Sequence, residues 1–141
     1  MTPEQKSLVK STWQLVVPIA DTAAQLFYGK LFEIDPSTQS MFKSTNMPEQ
    51  RKKLVMALGA VIAGLDNLAP LIPVLENLGK KHVAYGVRDD HYGSVGAALL
   101  WTLEQGLQDK WTPQVKDAWI AAYTAVAGVM RDAAKTVPTA A

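Results

Sequence analysis

Apolar residues recur at three- and four-residue spacing along nearly the whole chain, and this periodicity limits the fold more than any other feature. One run holds Leu8, Val9, Thr12, Trp13, Val16 and Val17, and a second holds Ala24, Phe27, Tyr28, Leu31 and Phe32. Others are Leu54–Leu58–Val61–Leu65, Val95–Leu99–Leu103–Leu107 and Val115–Trp119–Ala122–Val126–Met130. Side chains spaced this way share one face of a helix. No stretch alternates apolar and polar residues between hairpin turns, as a half-buried strand would. Pro18, Pro36, Pro48, Pro70, Pro73 and Pro113 punctuate the pattern. The chain therefore reads as all-α, with seven to eight helices on short connections.

Local signals place the ends. Thr2-Pro3 with Gln5, and later Thr112-Pro113, read as helix starts with a capping hydroxyl and proline in the first turn. Asp21 is expected to cap the second helix, and Asp89-Asp90 to open another. Pro36 suits a short helix ending near Phe42. Lys43–Met47 reads as a loop before a helix beginning at Pro48-Glu49. Gly86 is expected to close a short helix over Val74–Val83. Gly29, together with Gly59, Ala60, Ala63 and Gly64, suggests close packing between the second helix and the one after Pro48. Gly93 and Gly96 read as helix-packing positions.

At 141 residues the chain fits one domain, 1–135, with 136–141 expected to be a flexible C-terminal tail. The formal net charge is +1, so no strong field points to nucleic acid or a membrane surface. Cysteine is absent, which excludes disulfides, thiolate metal sites and Cys nucleophiles. No signal peptide and no span of about 20 apolar residues is visible. The expected setting is the cytoplasm.

Familiar catalytic patterns are missing. There is no phosphate-binding glycine loop, dinucleotide fingerprint or His-Glu-x-x-His. The two histidines, His82 and His91, do not share a helix face, so a paired zinc site is not expected. Both lie in Asn77–Tyr92, which also holds Tyr85.

The ordered set Phe27-Tyr28-x-x-Leu31-Phe32, Pro36 with Phe42, Gln50 with Leu54, Lys80-Lys81-His82 and Tyr92 resembles the globin family over nearly the whole chain. It is most similar to bacterial single-domain haemoglobins and to the globin half of flavohaemoglobins. That resemblance implies a globin fold enclosing one haem b, iron protoporphyrin IX, with His82 as the iron ligand. A neutral imidazole suits haem iron, and its second nitrogen can donate to a backbone carbonyl. Tyr28 and Gln50 match the distal residues of this group. A phenol O–H aimed at a gas ligand with partial negative charge should slow its release. Leu54 would form an apolar wall, Phe42 would stack on the haem, and Val95, Leu99, Val126 and Met130 would line haem or core. Lys53 and Lys81 are candidates for the haem propionates.

Plainer readings stand beside these. Tyr28, Leu54 and Phe42 would serve equally as core residues, Gln50 as a solvated first-turn residue, and the lysines as solvated faces. His91 does not match the ligand position and is expected at the surface or as a cap. Tyr92 matches a proximal-side tyrosine that, in flavohaemoglobins, works with a glutamate of the last helix. Counting from Trp119, that position falls near Ala134, so the glutamate is absent, and Asp132 is no obvious substitute.

The resemblance implies reversible binding of dioxygen, with nitric oxide and carbon monoxide as further ligands, in oxygen transport or storage. The alternatives are nitric oxide dioxygenation (NO detoxification) with a separate reductase, a gas sensor requiring a partner protein, and a haem-free helical module. A monomer or weak homodimer is expected.

Overall fold

The structure, a computed structural model, describes residues 1–84 and 86–136. Six α-helices run in order: α1 (Pro3–Val16), α2 (Ala20–Ile34), α3 (Met47–Ala63), α4 (Ile72–Ala84), α5 (His91–Leu107) and α6 (Pro113–Ala134). Among the described residues four 3-10 turns, Val17–Ile19, Pro36–Phe42, Ala69–Leu71 and Gln108–Lys110, accompany them, so the seven to eight helices expected fall between the six α-helices alone and all ten helical elements. No strand occurs among the described residues. Tyr85 and the tail at 137–141 lie outside them.

The caps explain most boundaries. Thr2 accepts from the Gln5 N–H while Gln5 reaches back to the Thr2 N–H, a reciprocal box at the start of α1. Thr112 accepts from the Val115 N–H at the start of α6. Asn46, inside the stretch read as loop, caps α3 by accepting from the Glu49 N–H. Asp21 does not cap α2. The 3-10 turn at Val17–Ile19 leads into that helix, and Ile19 holds the cap position without a side-chain bond. Asp21 instead lies in the first turn and accepts from Gln25 and from Arg51 of α3. The expected short helix after Pro36 is a 3-10 turn, with the Asp35 side chain accepting from the Ser37 N–H.

The core gathers Val9, Trp13, Phe27, Leu31, Leu103 and Trp119, among others. α1 and α6 are joined through it, where the buried Trp119 Nε1–H donates to Thr12 Oγ1 at 2.9 Å. α2 packs on α5, and α4 packs chiefly on α6. Gly79 makes the second of these contacts possible, because a Cβ there would run into the Met130 backbone. Gly96 likewise lies against the Tyr123 ring, whereas Gly29 and Gly93 have open space where a Cβ would stand. Gly59 faces Trp13 of α1, and Gly64 faces Leu71. The small residues of α3 therefore do not mark a tight crossing with Gly29 of α2, and composition alone could not show which neighbour each would meet.

Candidate functional site

Tyr28 lies on the inner face of α2, at 6% exposure. Burial raises the pKa of its phenol, and the bond with Gln50 partly opposes that rise. Gln50, in the first turn and a half of α3, donates through Nε2 to the Tyr28 hydroxyl oxygen at 3.1 Å. Because that oxygen accepts from Gln50, the phenol proton is left to donate elsewhere. Asn46 holds the α3 start that carries Gln50, and the Arg51–Asp21 ion pair ties α3 to α2.

Around Tyr28 stands an aromatic cluster. Phe27, Phe32 and Phe42 have ring centroids 5.1, 6.0 and 5.5 Å from it. Phe42 closes the Pro36–Phe42 turn and is only half-buried. Leu54 and Val95 are half-buried and pack on the core from α3 and α5. Leu99 is buried, and Val126 and Met130 of α6 are half-buried. Lys53 and Lys81 are exposed.

His82 sits in the last turn of α4. Its Nδ1 lies 2.6 Å from the Leu78 carbonyl oxygen. A carbonyl can only accept, so Nδ1 carries a proton, and a tautomer of this kind has its lone pair on Nε2. The helix then ends abruptly. Gly86 takes φ +90, a conformation that favours glycine, and the Val87 N–H donates to the His82 carbonyl at 2.9 Å.

Tyr92, in the first turn of α5, is 9% exposed, and its hydroxyl is a buried polar atom without a hydrogen-bond partner among the described residues. The Arg131 guanidinium lies 5.9 Å from its ring centroid and forms a two-point ion pair with Asp89 at 2.7 Å. Tyr123 donates to the Tyr92 carbonyl at 2.5 Å. Ala133 is buried and Ala134 half-buried where the last helix passes the position read as lacking a glutamate.

The expectation for His91 needs correcting in part. It is not a surface residue, with 2% exposure. Its ring does act locally, as Nδ1 accepts from the Arg88 N–H at 2.8 Å. The only sequence signal was its place after two aspartates at a helix start, and that signal does not report burial.

Comparison with known proteins settles the family. A profile described as Globin matches residues 25–130. The chain belongs to the globin family. This globin is 32% identical over 134 residues to a flavohemoprotein of Vibrio cholerae, covering 94% of the chain and 34% of the relative. It is 34% identical over 128 residues to one of Bacillus subtilis, covering 89% and 31%. It therefore spans about a third of the length of these relatives. A bacterial globin structure from Campylobacter jejuni aligns with a TM-score of 0.84 at 26% identity, covering 96% of this chain and 97% of that one. Membership implies haem-based binding of small gases. No helix among the described residues is long and apolar enough to cross a membrane.

Proposed function

We propose that this globin binds haem b through His82 and holds dioxygen reversibly, with Tyr28 and Gln50 setting its release. The observation that carries this reading is the Gln50–Tyr28 hydrogen bond, which orders a buried phenol and leaves its proton to donate. The fit to haem rests on three further features. His82 carries its ring proton on Nδ1, so Nε2 offers the lone pair that haem iron takes. Apolar side chains from separate elements, Phe42, Leu54, Val95 and Val126, are left half-buried, as contacts for a flat apolar ring would be. Beside Tyr123 and Arg131 of α6 lies a buried hydroxyl, that of Tyr92, with no hydrogen-bond partner among the described residues.

When bound, haem supplies the iron at which a diatomic ligand attaches. The protein's part is to exclude water, donate a hydrogen bond from Tyr28 and hold His82 through the Leu78 carbonyl. Lys53 and Lys81, both exposed, are candidates to meet the propionates. Carbon monoxide and nitric oxide are expected as competing ligands. Oxygen binding ranks ahead of nitric oxide dioxygenation because, among the described residues, the Tyr92 hydroxyl meets no carboxylate that would strengthen a haem-ligating His82. Dioxygenation would join nitric oxide and dioxygen into nitrate with one electron from a separate reductase.

Visible spectra of the ferric, ferrous and carbonyl forms test the cofactor. The wild type should show a Soret band with full pigment occupancy, and His82→Ala should lose it. Retention of the native band in His82→Ala would overturn the ligand assignment. Sustained nitric oxide consumption with a cellular reductase would promote the second reading.

A further inference from the structure

His91 is a fully buried polar side chain that the gas-binding reading does not use. Its surroundings form one continuous line of hydrogen bonds. The Val87 N–H donates to the His82 carbonyl at 2.9 Å, and the next amide, Arg88 N–H, donates to His91 Nδ1 at 2.8 Å. In return the His91 N–H donates to the Arg88 carbonyl at 3.0 Å, closing the turn between them. With Nδ1 accepting, the neutral ring carries its proton on Nε2, which lies 3.2 Å from Ser37 Oγ. The Ser37 hydroxyl in turn donates to Asp35 Oδ1 at 2.5 Å. The other carboxylate oxygen, Oδ2, accepts from Ser94 of α5 at 3.2 Å and lies 3.8 Å from His91 Nε2. From the Arg88 amide to Asp35, each donor and acceptor follows from the bond before it.

The line connects two places that bear on the same cofactor. One end is the backbone of His82. The other is the Asp35–Ser37 turn, which joins α2 to the segment carrying Phe42. Besides this line, the described part of the connection after α4 holds Gly86 in a left-handed conformation, the exposed Arg88–Asp90 pair and the Asp89–Arg131 pair to α6. An imidazole suits the task because it offers one acceptor and one donor at opposite sides of a rigid ring. A lysine, arginine or carboxylate in the same buried place would lack one of the two.

We propose that His91 is a positioning residue for His82: it fixes the backbone of His82, through the consecutive amides of Val87 and Arg88, against the turn that leads to Phe42. This rests on the reading of His82 as the haem ligand. It adds that the orientation of that ligand is set from outside α4.

The test uses the haem-loaded full chain as wild type, His91→Leu, His91→Gln and Ser37→Ala. Two readouts apply: amide hydrogen exchange at Val87 and Arg88, and the iron–histidine stretching band of the ferrous protein. His91→Leu should exchange about five- to tenfold faster at Arg88, the loss of one hydrogen bond, and should shift the stretching band. His91→Gln should restore both towards wild type, because its amide again supplies an acceptor and a donor. Ser37→Ala, at an exposed position, should move both readouts in the same direction by less, and it reads the same line should His91→Leu not fold. A folded, haem-loaded His91→Leu or Ser37→Ala protein with wild-type exchange and an unmoved band overturns the proposal. Failure of the underlying reading looks different. The wild type would then take up no haem, or His82→Ala would keep the native spectrum, while amide exchange would still report on the turn.

Discussion

At the scale of single residues, the distal pair gives the sharpest expectation. Tyr28→Phe keeps the ring and its aromatic neighbours and removes only the hydroxyl that meets Gln50. Oxygen release measured by stopped-flow should accelerate about fivefold, the worth of a hydrogen bond of ~1 kcal/mol. Unchanged release would assign Tyr28 to the core alone. One contact of the candidate site was legible in the sequence. Tyr28 and Gln50 stood at matching positions in an ordered pattern, and their hydrogen bond joins residues 22 apart in sequence. His91 was misjudged because its partners, Ser37 and Asp35, come from 54 and 56 positions earlier in the chain. Local sequence carries no trace of such a meeting.

Among the elements, α4 depends on α6 through a single missing methyl group. Gly79→Ala would place a Cβ into the Met130 backbone, which cannot swing aside as a flexible side chain does. Overpacking of this kind costs about 1–3 kcal/mol, to be read as a lower urea midpoint with unchanged slope. The same variant should lose haem faster, because Gly79 lies one turn before His82. Thr112→Ala removes the side-chain cap of α6 and should cost about 1 kcal/mol by the same assay. The caps at Thr2 and Thr112 were readable because they need only neighbouring residues. Asp21 misled because a good capping side chain and a good partner for Arg51 look alike in sequence. The small residues of α3 misled for a related reason: a glycine announces that something can come close, but not what.

For the molecule as a whole, three tyrosines set a limit on the alkaline side. Burial is the first cause raising the pKa of Tyr28, Tyr92 and Tyr123 above the ordinary value of 10.0. Their protons are thus held more firmly in the folded chain than in the unfolded one. The stability this linkage carries is fully present below the ordinary tyrosine value and is lost as pH rises through the folded values. Thermal midpoints should therefore be insensitive to these groups between pH 7 and 9 and fall steeply above about 10. Tyr28 should remain a donor throughout the lower range, so oxygen release should not change across it on account of this phenol.

The bond from Trp119 to Thr12 spans 107 residues and clasps the first helix to the last. During synthesis, the amino-terminal segment emerges long before its partner exists. Until α6 leaves the ribosome, the apolar face of Val9, Trp13 and Val16 lacks the main part of its cover, and so does the helix bearing His82. Chains stalled before residue 113 should be sticky and colourless, and pigment capture should wait for α6.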